Sequence, residues 1–351
     1  MNPKRTVGIA TKEVLNNPKT KGLPSKQLAR ILMRDDPGLF RSVEQARSAV
    51  RHYRGAKGVW MLSKTPDKSN FRPKEKPHNP WGGLPPALVE FKWEPVEVLH
   101  KRNAVLSDLH LLYYDPMALI PALNDIADYK PECIIVLGDL LDFYEISKFG
   151  RDPSVENLRL VLLAGFKFWS MLRRRFPDTA LIWKYGNHDE RWEKFCWSKA
   201  PEFCRQLPQM SDLEWIMNHP SLFSDTDDNA AEGLDITMVK TPVPIKISKL
   251  FLLHGHELPK GIASPVNAAR GAFLKTAECV MVGHQHQSSN HREISLAGRL
   301  VSAWSLPCLC NLHPRYSPIN PRWSHGHAFV DRVDESNFHV TQRQIINGKV
   351  Y

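Results

Sequence analysis

Val105-Leu106-Ser107-Asp108-Leu109-His110 is the stretch from which the fold can be read. An apolar run of strand character stops at an aspartate and a histidine two residues apart. Alternate residues of a strand face one side, so the spacing predicts a carboxylate and an imidazole aimed at one point beyond the strand's end. Four later stretches end in the same chemistry: Gly138-Asp139-Leu140-Leu141-Asp142, Gly186-Asn187-His188-Asp189-Glu190, His254-Gly255-His256 and Gly283-His284-Gln285-His286. Each follows an apolar, strand-like run.

Apolar patterning predicts strands at 104–107, 133–138, 180–185, 236–240, 250–253 and 279–282. Helical periods fall at 117–128, 158–176, 191–204, 211–218 and 264–276, and the tail from 300 to 350 alternates as β-structure. Strands interleaved with helices predict an α/β layered architecture with its site at the strands' carboxyl ends. The segment 224–232 reads as a solvated acidic loop. Trp304 and Trp323 read as core, and His291, His313, His325, His327 and His339 have no assigned role.

The net charge of +10 is unevenly placed. Residues 1–80 carry 18 Lys and Arg against 6 Asp and Glu, so the rest of the chain is slightly acidic. Within 1–63 three helices are expected, over 6–15, 26–34 and from Ser42 to about Arg54. Ser42 followed by Gln45 is a capping-box signature. On the third helix Arg47, Arg51 and Arg54 form one basic stripe, while Ala46, Val50 and Tyr53 can pack inward. This is the pattern of a helix-turn-helix-like module that meets phosphate, and it predicts a nucleic-acid partner, DNA before RNA. Residues 64–97 hold seven prolines between Pro66 and Pro95 and read as an extended linker. The remaining stretch, 98–351, is then the catalytic domain.

No run of 18 apolar residues occurs, and the first residues lack a secretory h-region. A cytoplasmic protein without membrane contact is expected. The six cysteines form no CxxC pair and read as reduced thiols.

Asp108, His110, Asp139, Asn187, His254, His284 and His286 make a set of oxygen and nitrogen donors too large for one tetrahedral ion. They suit two divalent ions, with manganese expected and iron or zinc compatible. Paired ions serve phosphate-ester cleavage, in which a bridging hydroxide attacks phosphorus in line. His188, which is not needed as a ligand, is the natural acid for the leaving oxygen, and Asp142 can hold that imidazole protonated.

The ordered blocks Asp-x-His, Gly-Asp-x-x-Asp, Gly-Asn-His-Asp, His-Gly-His and Gly-His-x-His resemble those of the calcineurin-like metallophosphoesterase superfamily over residues 103–290. The resemblance implies a four-layer αββα sandwich, here with a small N-terminal helical domain. It implies one metal on Asp108, His110, Asp139 and His286, and a second on Asp139, Asn187, His254 and His284, with Asp139 bridging. His188 carries over as catalytic acid and Asp142 as its partner; His256 has no agreed role. After Asp142 the chain reads Phe143-Tyr144, where the protein Ser/Thr phosphatases of the superfamily place Arg-Gly, whose arginine grips the substrate phosphate. The layout is more similar to nuclease-like phosphoesterases of bacteriophage genomes. The expected activity is hydrolysis of phosphodiester bonds in nucleic acid. A small-molecule phosphomonoesterase or cyclic-nucleotide phosphodiesterase is the alternative, and a DNA-binding or assembly protein with a vestigial metal site is the alternative of another class.

Overall fold

The computed structural model describes residues 6–18, 20, 23–54, 94–147, 158–223, 234–259, 267–314, 319 and 321–351. The chain divides into two compact units, Met1–Glu90 and Phe91–Tyr351. The division falls inside the stretch read as linker. Most of that stretch, and the acidic loop 224–232, lie outside the described residues.

In the first unit the helices are α1 (Val7–Asn16), α2 (Ser25–Asp35) and α3 (Val43–Arg54). Leu28, Ala29 and Leu32 of α2 meet Ala46 and Val50 of α3 and Ala10 and Leu15 of α1 in one small core. Ser42 Oγ accepts from Gln45 N at 3.2 Å, and Gln45 Oε1 accepts from Arg41 N at 2.6 Å. The capping box therefore forms, but its return bond reaches one residue beyond the cap. Arg51 is exposed; Arg47 is half-buried and stands 3.5 Å from Glu44. The side chain of Arg54 lies outside the description.

The second unit is built on two sheets. In chain order the strands are β1 (Val96–Glu97), β2 (Arg102–Leu106), β3 (Cys133–Leu137), β4 (Ala180–Lys184), β5 (Ile236–Val239), β6 (Ile245–Ile247), β7 (Leu250–Leu253), β8 (Val280–Val282), β9 (Ser289–Ile294), β10 (Leu300–Ser305), β11 (His325–Arg332), β12 (Phe338–Ile346) and β13 (Lys349–Val350). One sheet runs β13-β12-β11-β2-β3-β4-β5, parallel from β2 to β5; the other runs β1-β6-β7-β8-β10-β9, with β7, β8 and β10 parallel. β1 takes up residues 96–97, so the second unit starts before residue 98.

The period of two along each strand makes the layers. Val105, Ile135, Leu137 and Ile182 face Ile245, Leu252 and Met281 of the opposite sheet. Their neighbours Leu106, Ile134, Val136 and Trp183 face outward onto a helical layer that includes Ala122, Ile126, Phe166 and Trp169. Val280, Val282 and Ala303 on the far side receive Ala269 and Ala272 of the helix Ala268–Thr276. The order is helix, sheet, sheet, helix, the αββα sandwich expected from the sequence.

Two helical expectations change in detail. The stretch 191–204 forms two helices, Glu190–Lys199 and Pro201–Gln206, because Pro201 has no amide hydrogen to continue the first. The stretch 211–218 keeps only the short helix Leu213–Met217 after a 3-10 turn.

Asp125, on the helix Pro116–Tyr129, clamps that helix to the sheet. Its carboxylate lies 2.9 Å from His327 Nε2 and 3.0 Å from Arg343 Nε. The His327 and Arg343 bonds, against the effect of burial, lower its pKa to about 2. A carboxyl acidified on folding stabilises above its ordinary value of 3.8 and loses that contribution as pH falls toward 2. Asp125→Asn is expected to cost about 1 kcal/mol at pH 7, allowing for solvent screening, or about 2–4 °C in Tm. Thermal melts should show the gap to wild type closing between pH 4 and pH 2.

Candidate metal centre

Because β2, β3 and β4 are parallel, their carboxyl ends open on one side of the sheet, where Asp108, Asp139 and Asn187 follow. β7 and β8 deliver His254, His284 and His286 from the other sheet. Strand alternation is not what aims the first pair. β2 ends at Leu106, and Asp108 and His110 lie beyond it, both in left-handed backbone with φ 53° and 46°. Asp139, His284 and His286 share that conformation, with φ 49°, 66° and 55°. Sharp left-handed turns, uncommon for residues other than glycine, therefore fold the donors inward.

Asp139 is at the middle. Its Oδ1 accepts from His188 N at 2.8 Å. Its Oδ2 faces His254 Nε2 at 3.1 Å, His110 Nε2 at 3.8 Å and His188 Nε2 at 4.0 Å. Asp108 is placed similarly: Oδ2 accepts from Ser107 Oγ at 2.5 Å and His284 N at 2.9 Å, while Oδ1 faces His286 Nε2 at 3.1 Å. Gly186 and Gly283 allow this density, since a Cβ at Gly186 would overlap the Asp139 carboxylate and one at Gly283 the Ser107 hydroxyl.

Four of the inward atoms are buried without a hydrogen-bond partner: Asp108 Oδ1, His110 Nε2, Asn187 Oδ1 and His254 Nε2. Buried polar atoms are nearly always satisfied, so four converging orphans need a common partner. Atoms about 2.1 Å from one ion stand roughly 3 to 3.5 Å apart, which is how His286 meets Asp108 and His254 meets Asp139. Asp108, His110 and Asp139 form one group able to hold an ion, and Asp139, His254 and His284 another. The donor set fits divalent metal.

The opposite ring nitrogens are fixed from behind. His110 Nδ1 lies 2.7 Å from Asp142 Oδ1, and His254 Nδ1 2.8 Å from Leu137 O. Each carries the proton at Nδ1 and leaves Nε2 free as a ligand. Cys310 Sγ stands 3.7 Å from His286 Nδ1, and with His110 and His286 it makes a further group able to hold an ion. Asp142 also lies 2.7 Å from His188 Nδ1. His256 sits farther out, with Nε2 3.4 Å from Glu190 and Nδ1 3.5 Å from Glu257, whose Oε1 meets the buried Lys184 at 2.8 Å.

The sequence reading did not single out Asp189, Arg191 or Cys310. Asp189 is buried; its Oδ2 accepts from Gly186 N at 2.8 Å and its Oδ1 from Leu141 N at 3.0 Å, tying together the turns that carry Asn187 and Asp142. Burial and the nearby Asp139 raise its pKa to about 7. Asp189 stands inside the block Gly-Asn-His-Asp and Arg191 two residues after it, so both were within reach; Cys310, 24 residues beyond His286, could bind metal in principle but had no second cysteine pair to complete a site. Trp304 is core, but Trp323 lies against the His286 ring with centroids 4.1 Å apart. Among the described residues, none of His291, His313, His325, His327 and His339 belongs to a group able to hold an ion.

Two facing sheets between helical layers, with the five blocks meeting in order at the strand ends, decide the fold. It is a four-layer αββα sandwich, consistent with the metallophosphoesterase fold that the sequence blocks implied. No family model matches the chain. The Gene 54 protein of Mycobacterium phage L5 is 22% identical over 215 residues, covering 59% of this chain and 78% of that protein. Among solved structures, Vacuolar Protein Sorting 29 from Cryptosporidium parvum aligns at 11% identity and TM-score 0.36, over 72% of this chain and 96% of that one. Zinc-complexed Vps29 from Entamoeba histolytica aligns at 12% and 0.36, over 71% and 96%. The Pseudomonas putida nuclease MPE aligns at 16% and 0.29, over 64% and 83%. No helix among the described residues is long and apolar enough to cross a membrane.

Burial opposes charge on His254, yet Asp139 and Asp108 hold its pKa up to about 10. A metal entering this centre must displace that proton, so affinity should weaken as pH falls. Adding Mn²⁺ or Zn²⁺ to chelator-treated protein is expected to release protons and raise Tm, by about 2.7 kcal/mol of stability at a hundred times Kd. Asp139→Ala should abolish both effects, as read by calorimetry and thermal melting.

Proposed function

We propose that this chain is a phosphodiesterase acting on nucleic acid, dependent on two divalent ions held around Asp139. The observation that carries the reading is the pairing of the orphaned donor set with an imidazole held at its edge. His188 Nδ1 lies 2.7 Å from Asp142 Oδ1, and its Nε2 stands 4.0 Å from Asp139 Oδ2. Ions held by the set would supply Lewis-acid charge to the phosphoryl oxygens and a nucleophile at neutral pH.

The remaining work falls to the chain's own groups. Asp142 takes the Nδ1 proton of His188 in a hydrogen bond, which turns Nε2 toward the centre. Although buried, Asp142 is held ionised well below the usual carboxylate range by bonds from His110 and His188. With Nδ1 committed to Asp142, Nε2 is the atom of His188 through which a proton can pass to the departing oxygen. His110, bonded to the same carboxylate oxygen, keeps its own Nε2 for the centre. A polymeric substrate is supported by the charge of the first 80 residues, 18 basic against 6 acidic side chains, with Arg51 open on α3.

His188→Ala, loaded with Mn²⁺, is expected to retain its metal and lose about 10²- to 10⁴-fold in turnover. Wild type and variant should be compared on single-stranded DNA, duplex DNA, RNA and an aryl phosphomonoester. Turnover of the monoester alone would exclude the polynucleotide substrate. The full-length triple variant Arg47→Ala, Arg51→Ala, Arg54→Ala is expected to bind polynucleotide more weakly. Its slope of log affinity against log salt should be shallower by roughly one unit per arginine on phosphate. An unchanged slope, measured by fluorescence anisotropy, would remove the basic stripe from the interface.

A further inference from the structure

We propose that Arg191 grips the substrate phosphate in this chain, in place of an arginine following Asp142. The inference rests on the phosphoesterase reading and names a residue that reading does not use.

Phe143, the residue after Asp142, cannot reach the centre. Its backbone is left-handed with φ 50°, its side chain is fully buried, and its ring stacks on Trp192 with centroids 6.0 Å apart. The guanidinium beside Asp142 comes instead from the start of the helix Glu190–Lys199. Arg191 Nη1 donates to the backbone oxygen of Asp142 at 2.9 Å, and Nη2 donates to His188 Nε2 at 3.0 Å. One imidazole thus separates it from Asp139 Oδ2, which lies 4.0 Å from the same His188 atom.

Three features suit this group to an anion. Both of its partners among the described residues are neutral acceptors, a carbonyl and a ring nitrogen, so no carboxylate pairs with its charge. Arginine is charged at any working pH and presents a planar fork that matches phosphate oxygens. Its attachment is rigid as well, because Trp192 beside it stacks on Phe143 and donates from Nε1 to Met210 O at 3.2 Å. The geometry has a further consequence for His188. Arg191 Nη2 sits on Nε2, the atom that must serve the leaving oxygen. A phosphate oxygen is a stronger acceptor than a neutral imidazole, since it carries negative charge and a phosphate can take two guanidinium N–H groups at once. An arriving phosphate draws the guanidinium onto itself and uncovers Nε2 in the same movement.

The test uses full-length wild type, Arg191→Ala and Arg191→Lys, each loaded with Mn²⁺ and titrated with inorganic phosphate in a calorimeter. Metal content and Tm are measured on the same samples, and KM and kcat on the best substrate. Arg191→Ala is expected to weaken phosphate binding roughly 10- to 100-fold with metal content unchanged, and to raise KM. Should Arg191→Ala melt early or lose metal, Arg191→Lys decides, since it keeps the stem and charge but not the fork. It is expected to bind phosphate severalfold more weakly than wild type at equal metal content. Phosphate binding equal to wild type in the metal-loaded lysine variant, or in a stable alanine variant, overturns the assignment. In that case wild-type turnover persists and the phosphoesterase reading stands. If wild type neither binds phosphate nor cleaves any ester, that reading fails and the role of Arg191 falls with it.

Discussion

Two aspartates buried side by side are the constraint on which the second unit turns. Asp108 and Asp139 are 0% and 1% exposed, and the basic side chains nearest them among the described residues are imidazoles rather than lysine or arginine. Burying an ionised carboxylate costs several kcal/mol unless the charge is met. The protein meets it in part with backbone amides, from His188 to Asp139 and from His284 to Asp108, and with the Ser107 hydroxyl. The balance comes from protonated imidazoles such as His254, or from a metal ion that displaces their protons. Metal affinity and the stability of the strand ends are then one quantity, because the same oxygens serve both.

That constraint explains why the strand ends look as they do. Five of the seven donors sit on left-handed backbone, which costs of order 1–3 kcal/mol each for residues with a side chain. An extended continuation would carry Asp108 and His110 away from the sheet; the left-handed turn brings them back over it. Asp189 holds the turns closed from inside by accepting amides from two of them. The glycines at 186 and 283 leave room for carboxylate and hydroxyl where any side chain would collide.

Most of the central architecture was legible in the sequence. The runs at 133–137, 180–184 and 250–253 are too apolar and too short for anything but buried strands, and each ends at a ligand block. The edge strands were not legible. Val96–Glu97 lies in proline-rich sequence, and Ser289–Ile294 is largely polar because most of it meets solvent. A strand paired on one side needs neither length nor apolar content. The turn geometry was equally hidden, since spacing of two suggests alternation whether the residues lie on a strand or past its end. Of the site, the donors could be recognised because metal chemistry restricts residue type. Arg191 and Cys310 act through position alone, and position is set by helix packing and by a distant loop.

Asp142 joins the two halves of the centre. Its Oδ1 lies 2.7 Å from Nδ1 of both His110 and His188, and the rings meet edge to face with centroids 4.6 Å apart. Both rings turn their far nitrogens toward Asp139 Oδ2, at 3.8 Å for His110 and 4.0 Å for His188. Because they share an acceptor, a shift of one ring changes the electron density available to the other. The backbone oxygen of Asp142 meanwhile receives Arg191. A single residue thus orients two imidazoles and a guanidinium. That shared anchor keeps groups from separate strand ends in register around buried donors.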